Sequence, residues 1–519
     1  MADTAHEAPA PVAARGTDPG PRRRARVDGW LVGFTALAAA VRLWGLGAQS
    51  LWYDEWLTTE ATRGGLRDLV HHVATREGIT PPYFLVMWGW VRLFGDGEVA
   101  LRSLSVLAGV ATVPVAYAMV GALGRRRGAR LAAALVAVNP MLVWYSQEAR
   151  PYSLLALLGA LSALACVRAR AAGAGRRDLG WWALAAAAVV AVHYFAAFLV
   201  AAEAVALAAA HRDRWRAVAL ACLPTAAVGL VLAPVALEQQ SHAANRNWIA
   251  AFTLTSRVQE AGRRALLGPS LPADRLWWVA AAVVAVAAGL VLVRGSRAER
   301  AAAGLLAALG GAAVVVPLAV SVVGVDVFLG RYLVAGLVPL IGAVAVGLGV
   351  PRPPAVGLVA AATLAAVSLI VVVTVQTDPE LQRPDWRAVA AAVDADRGAG
   401  AVLVVNVNGG QSSPLARYLP AGARRLGARE HVRVDRIDVL VGLPADRPCN
   451  MFVGRACGMV FLGAPLPPDV AAAVTLDRRV DLDPFAVERY RADAPVDVTV
   501  ARLLAPADPA GAAVWVVPG

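Results

Sequence analysis

Lysine is absent from this 519-residue chain, so all 49 basic side chains are arginine. Cysteine is nearly absent: four residues are too few for a disulfide scaffold, and no metal-ligand spacing involves them. Cys166 and Cys222 lie inside apolar runs and read as small inert hydrophobes, whereas Cys449 and Cys457 fall in a polar C-terminal region where an oxidising compartment would let them pair. Gly409-Gly410 lacks the glycine spacing of a dinucleotide fingerprint and reads as a turn. Charged residues make up only 17% of the chain. Against this, 58% of the residues are hydrophobic, and the mean hydropathy is +0.57. A soluble protein of this length needs far less apolar material to fill its cores, so the chain is an integral membrane protein. Its net charge of +12 does not imply a nucleic-acid partner, because the arginines cluster in short loops between apolar runs. That is how topology determinants sit beside anionic lipid.

Residues 1–27 are rich in Ala, Pro, Gly and Arg and are expected to be a disordered cytoplasmic terminus. Arg22, Arg23, Arg24 and Arg26 precede a first apolar run from Gly29 to Leu46. The run is long for a signal peptide and Ala48-Gln49-Ser50 is a weak cleavage site, so it is expected to remain as a span. Further spans are expected near 99–121, 130–146, 152–169, 179–194, 195–211, 216–237, 276–294, 301–323, 332–350 and 354–375. Arg125–Arg130, Arg168–Arg177, Arg212–Arg216, Arg294–Arg300 and Arg352 then fall in alternate loops. The positive-inside rule makes those loops cytoplasmic, with the N-terminus inside and the C-terminus outside.

Between the first two spans lies Ser50-Leu51-Trp52-Tyr53-Asp54-Glu55-Trp56, a carboxylate pair set among aromatic rings that belong at headgroup level. Leu66, Leu69, Val70 and Val73 follow at i, i+3, i+4, i+7, an amphipathic helix suited to the interface. His71 and His72 are adjacent on it, point to different sides and read as a solvated face. Thr80-Pro81-Pro82 opens a second juxtamembrane helix, whose apolar part from Tyr83 to Phe94 is too short to cross. Other polar groups fall on the same outer face: Glu148 and Arg150 between the third and fourth spans, His193-Tyr194 between two short spans, and Arg331-Tyr332 at another outer end. After Thr377, Pro384-Asp385-Trp386-Arg387 opens an amphipathic helix and residues 401–406 read as a buried strand. Apolar runs at 439–442, 459–463 and 514–517 complete a small α/β domain.

The expected architecture is a polytopic α-helical membrane protein with about eleven transmembrane helices plus juxtamembrane helices. Residues 28–376 would form the membrane domain and 377–519 an extracytoplasmic α/β domain.

The runs Leu51-Trp52-Tyr53-Asp54-Glu55, Pro81-Pro82-Tyr83-Phe84, Ala100-Leu101-Arg102-Ser103-Leu104, Asn139-Pro140 and Tyr145-Ser146-Gln147-Glu148-Ala149-Arg150-Pro151-Tyr152 carry a resemblance. Together they are similar to GT-C fold glycosyltransferases. The nearest branch is family-39-like: protein O-mannosyltransferases, the lipid A aminoarabinose transferase and the RgtA/B/C/D-like group. The likeness covers residues 28–210 well and the rest in architecture only. Thr80 stands where the family has His or Lys before Pro-Pro.

The resemblance implies transfer of a mannose- or arabinose-like sugar from a polyprenyl-phosphate donor to a hydroxyl of a glycan, lipid or protein, on the outer face of the cell membrane. Asp54 would be the catalytic base. Arg331 and Arg150 would stabilise the leaving phosphate. Glu55 and Glu148 would orient acceptor or base or, as the weaker alternative, hold a divalent cation, the one cofactor this set of residues suggests. Pro81, Pro82, His193, Tyr194 and Tyr332 would line the substrate site. The rival class is a transporter or flippase of polyprenyl-linked glycans. Against it, the sequence shows no inverted repeat and few acids mid-span.

Overall fold

The computed structural model describes residues 28–76, 81–241, 252–269, 274–324, 328–350, 353–395, 401–406, 414–442, 466–482, 485–504 and 513–518. Cys449, Cys457, Thr80, Gly409-Gly410 and the run at 459–463 lie outside the described residues.

Helices occupy every stretch expected to span. They are α1 (Gly29–Leu43), α5 (Glu98–Ala122), α6 (Arg126–Val138) with α7 (Pro140–Ser146), α8 (Tyr152–Ala169), α9 (Arg176–Val192), α10 (Ala197–Ala210), α11 (Trp215–Ser241), α13 (Asp274–Arg294), α14 (Arg297–Val322), α15 (Val334–Gly349) and α16 (Ala355–Thr377). Among the described residues seven are long and apolar enough to cross unaided, or eight if α6 and α7 form one bent span. The other three helices of the expected eleven, α1, α9 and α10, are shorter, with 15, 17 and 14 residues. Between α1 and α5 come α2 (Tyr53–Arg63), α3 (Leu66–Arg76) and α4 (Pro81–Phe94). Leu69 and Val73 of α3 are buried while Leu66 and Val70 are exposed, so only part of its apolar stripe faces the protein. A further amphipathic helix, α12 (Leu254–Leu267), lies in the long loop before α13.

The bend between α6 and α7 is 53° and has a chemical cause. Pro140 has no N–H to offer the Val136 carbonyl. Arg42, wholly buried in α1, donates instead to Val136 O at 3.2 Å, Ala137 O at 2.7 Å and Ser146 Oγ at 3.0 Å. A Cβ on Gly109 would fall 2.8 Å from Arg42 Nε, so only glycine leaves this arginine room. Asn139 caps α7 and donates through Nδ2 to Ala265 O at 2.9 Å, which ties α12 to the kink. α15 crosses α14 at a glycine contact, where a Cβ on Gly336 would meet Gly310 O at 2.6 Å. Small residues allow this close approach, and it fixes the helix that follows Arg331.

The C-terminal region is a six-stranded mixed sheet of β1 (Val402–Asn406), β2 (Arg424–Arg425), β3 (His431–Gly442), β4 (Thr475–Leu482), β5 (Phe485–Thr499) and β6 (Ala513–Val517), in the order β2-β6-β1-β3-β5-β4. Among the described residues only β1 and β3 pair in parallel. α17 (Trp386–Asp394) covers one face through Trp386, Val389 and Val393. Arg436, held by Asp438 at 2.5 Å, donates to the Val393 and Ala395 carbonyls and closes the end of α17.

Candidate active site at the domain-bearing end

Asp54 and Glu55 sit on the first turn of α2, where successive side chains point about 100° apart. They therefore enter different surroundings. Glu55 is fully buried and accepts from Arg102 Nε at 2.8 Å and Nη2 at 2.7 Å, and from the Ala149 N–H at 2.9 Å. Arg383 approaches it to 3.9 Å. Burial alone would raise this carboxyl, but the Arg102 guanidinium, followed by Arg383, holds it below the ordinary carboxylate range. Asp54 remains partly open, with Oδ2 at 3.2 Å from Arg331 Nη1 and side-chain exposures of 15% and 16%. Its backbone carbonyl accepts from Arg150 Nη1 at 3.1 Å and from Thr58 Oγ1 at 3.2 Å.

Arg150 also reaches Thr58 Oγ1 at 3.4 Å, and its guanidinium lies 5.9 Å from the Phe84 ring. Glu148 does not pair with Arg150, two residues away. It accepts from Arg383 Nη2 at 2.7 Å, and both side chains are buried. Burial pushes the Glu148 carboxyl up to about 7. Arg383 opposes the rise, while the Glu55 and Asp54 carboxylates add to it.

Aromatic rings form the opposite wall. His193 ends α9, and its Nδ1 accepts the Phe195 N–H at 3.4 Å. Its ring lies 5.1 Å from Tyr332, 6.2 Å from Tyr194 and 6.5 Å from Tyr152. Its buried Nε2 has no hydrogen-bond partner among the described residues. Arg331 and Tyr332 lie on the short turn Gly330–Leu333, and Phe195 stacks on Tyr332 at 4.6 Å. From α12, Arg264 binds Glu260 Oε1 at 2.8 and 2.5 Å, and Arg257 donates to Phe328 O at 3.0 Å.

The structure thus brings Asp54, Arg150, Arg331, Tyr332, His193 and Tyr194 into one cluster of contacts, with Glu55 and Glu148 paired to buried arginines beside it. Pro81 and Pro82 open α4, where a missing backbone N–H costs no helical hydrogen bond. Glu55 and Glu148 fit a divalent cation poorly, since a guanidinium engages each. Among the described residues no three His, Cys, Asp or Glu side chains come together as a metal site. Sequence reasoning assigned no role to Arg102, Arg383 or Arg264. Arg102 had a signal, a charge just inside an apolar span. Arg383 had none, since its partners are 235 residues and more away.

Residues 79–237 match the family model of dolichyl-phosphate-mannose-protein mannosyltransferase. No curated protein matches the chain. Among solved structures, apo ArnT from Cupriavidus metallidurans superposes with a TM-score of 0.54 at 12% identity, covering 93% of this chain and 99% of that one. ArnT from the same organism bound to undecaprenyl phosphate gives 0.53 at 11% identity, covering 89% and 98%. The chain therefore has the GT-C fold, built from spans of varied length and a strand-containing C-terminal domain. Over residues 79–237 its sequence resembles the matched mannosyltransferase family.

Proposed function

We propose that this protein is a membrane glycosyltransferase that moves a mannose- or arabinose-like sugar from a polyprenyl-phosphate donor to an acceptor hydroxyl, at the outer face of the cytoplasmic membrane. The observation that carries the reading is the Asp54–Arg331 contact of 3.2 Å, an accessible carboxylate beside a guanidinium at the domain-bearing end of the helices. Inverting displacement needs both groups. Asp54 takes the proton of the acceptor hydroxyl as its oxygen bonds the anomeric carbon. The bond from that carbon to the phosphate oxygen breaks, and Arg331 and Arg150 hold the departing polyprenyl phosphate. That leaving group carries its own charge, so no acid need protonate it. Arg331 rests on Asp54, which keeps two partly buried charges paired. Glu55, engaged by Arg102 and the Ala149 N–H, acts by placing the first turn of α2. An acceptor would enter from the side of the C-terminal domain, and glycan, lipid and protein hydroxyls are all candidates.

The test is to incubate the purified protein in lipid with a panel of radiolabelled polyprenyl-phosphate sugars and candidate acceptors. Label appearing in an acceptor supports the reading. Label that crosses the vesicle wall with its glycosidic bond intact overturns it in favour of a flippase.

A further inference from the structure

We infer that Arg383 is a positioning residue, through which the start of the C-terminal domain holds the Glu148–Arg150 loop in register with Asp54. The inference rests on the proposal that Asp54 and Arg150 face the reacting groups. Arg383 lies between α16 and α17, in the segment that leads from the last span into the sheet domain. Its guanidinium is nevertheless buried among membrane-domain side chains, facing the Trp144 ring at 4.5 Å and the Trp52 ring at 5.6 Å. It donates to Glu148 Oε2 at 2.7 Å and Gln147 O at 3.3 Å, and approaches Glu55 to 3.9 Å. Its backbone N–H reaches Gln49 Oε1 at 3.2 Å. One residue thus binds both loops that the site is built from, residues 44–52 before α2 and residues 147–151 before α8.

The neighbouring contacts act in the same direction. Ser50 Oγ donates to Pro384 O at 2.9 Å and accepts the Trp386 N–H at 3.0 Å. Arg387 donates to the carbonyls of Gly47 and Ala48 and binds Glu98. Tyr418 accepts the Leu51 N–H at 2.7 Å and donates to Glu98. The chain before Asp54 is thus held from the C-terminal domain as well as by Arg102 and Gln147 of the membrane domain.

The electrostatics explain why an arginine stands at this point. Glu55, Glu148, Arg102 and Arg383 form a buried, neutral quartet, each 2% exposed or less at the side chain. The charges facing Glu148 are Arg383 from the linker, Glu55 and Asp54 from α2, Arg150 from its own loop and, at longer range, Arg102 from α5. Without Arg383, Glu148 faces Glu55 with no counter-charge in direct contact, in a low-dielectric interior. The loop must then shift, or the carboxyl must take a proton. Either change moves Ala149, whose N–H is held by Glu55 and whose carbonyl accepts Thr58 Oγ1 at 3.1 Å. It also moves Arg150, which is bonded to the Asp54 carbonyl.

The experiment uses the full-length protein in lipid nanodiscs, as wild type, Arg383→Gln and the double variant Glu148→Gln/Arg383→Gln. Turnover is measured with the polyprenyl-phosphate sugar that wild type uses, and hydrogen exchange is measured in parallel. Arg383→Gln should lower kcat by roughly 30-fold or more with donor KM within about threefold, since geometry rather than ground-state binding is lost. The acid limb of its pH profile should lie at higher pH, because Glu148 has lost the charge that favours its ionised form. The double variant should recover about tenfold, because no unpaired buried carboxylate remains. Amides of residues 47–52 and 147–150 should exchange faster in Arg383→Gln while α8 keeps its protection. Loss of protection throughout the chain would overturn the inference, making Arg383 a general stabiliser. Unchanged kcat and exchange would overturn it as well. If wild type turns over no donor in the panel, the proposed function fails, and the exchange data still decide whether Arg383 holds the two loops.

Discussion

Arg102 and Glu55 face one another through two contacts of 2.8 and 2.7 Å, both wholly buried, and join the N-terminal end of α5 to the first turn of α2. Arg102 also donates to the carbonyls of Leu46, Gln49 and Ser50 at 2.9, 2.8 and 3.1 Å. Breaking one side of such a pair strands a charge in low dielectric, at a cost of about 3–5 kcal/mol. Glu55→Gln and Arg102→Leu should each lower the unfolding temperature of detergent-solubilised protein by several degrees. Wild-type melting in both variants would show that the pair contributes nothing net.

For Asp54 the expectation concerns rate. Asp54→Asn keeps the shape and removes the proton acceptor, so transfer should fall by at least about a hundredfold. Donor binding should change little, since a neutral amide does not repel phosphate. Full transfer by this variant would move the base elsewhere, with Glu148 the next residue to test.

At Arg331 the test separates charge from shape. Arg331→Lys keeps the charge but loses the planar fork, and donor use should fall roughly tenfold or more. Arg331→Ala should be worse at equal expression. Wild-type turnover by both variants would leave Arg331 as an anchor at the membrane edge.

Glu148 should leave a mark on stability against pH. Its carboxyl is raised from the ordinary 4.5 to about 7, chiefly by burial, so the folded state binds this proton more tightly than the unfolded state. Its contribution is therefore fully present below about pH 4.5 and is lost as pH rises through about 7. The difference in melting temperature between wild type and Glu148→Gln should change across that window and level off above it. A difference independent of pH would show that Glu148 keeps an ordinary carboxyl affinity.

Orientation can be read by thiol labelling. Gly128, on the arginine-rich first turn of α6, is a poor site for a probe because an added Cβ would lie 3.2 Å from Val120 and 3.3 Å from the Val346 backbone. Gly175 and Gly97 have open space around them, at opposite ends of the helices. In a background without the native cysteines, Gly97→Cys should react with an impermeant reagent on intact cells and Gly175→Cys should not. The reverse would invert the N-inside topology.

The helices and the aromatic loop were legible because apolar runs, arginine clusters and 3.6-residue periodicity are local properties. Span lengths were less so: α9 opens with Arg176, Arg177 and Asp178, and hydropathy alone does not reveal where helical hydrogen bonding begins. Asp54 and Glu55 looked like one feature in the sequence. Helical geometry separates them, one toward Arg331 and the other into the interior. The partner of Glu148 was out of reach for a different reason. Arg150 was near in sequence, but Arg383 is near in space, and pairing across that distance leaves no periodic trace.

The separation of Glu148 from Arg383 also bears on how the protein is made. Glu55 meets Arg102 after 47 residues of synthesis, but Glu148 waits a further 235 for Arg383. At about 5–20 residues per second that is roughly 10 to 50 s, during which the helices from α8 to α16 are made while an acid destined for the interior lacks its counter-charge. A protonated Glu148 is the form suited to that interval. The site then reaches its working charge state only when the ribosome has passed the last membrane helix, so a nascent chain cut short before residue 383 would hold Asp54 and Arg150 and still not present them in register.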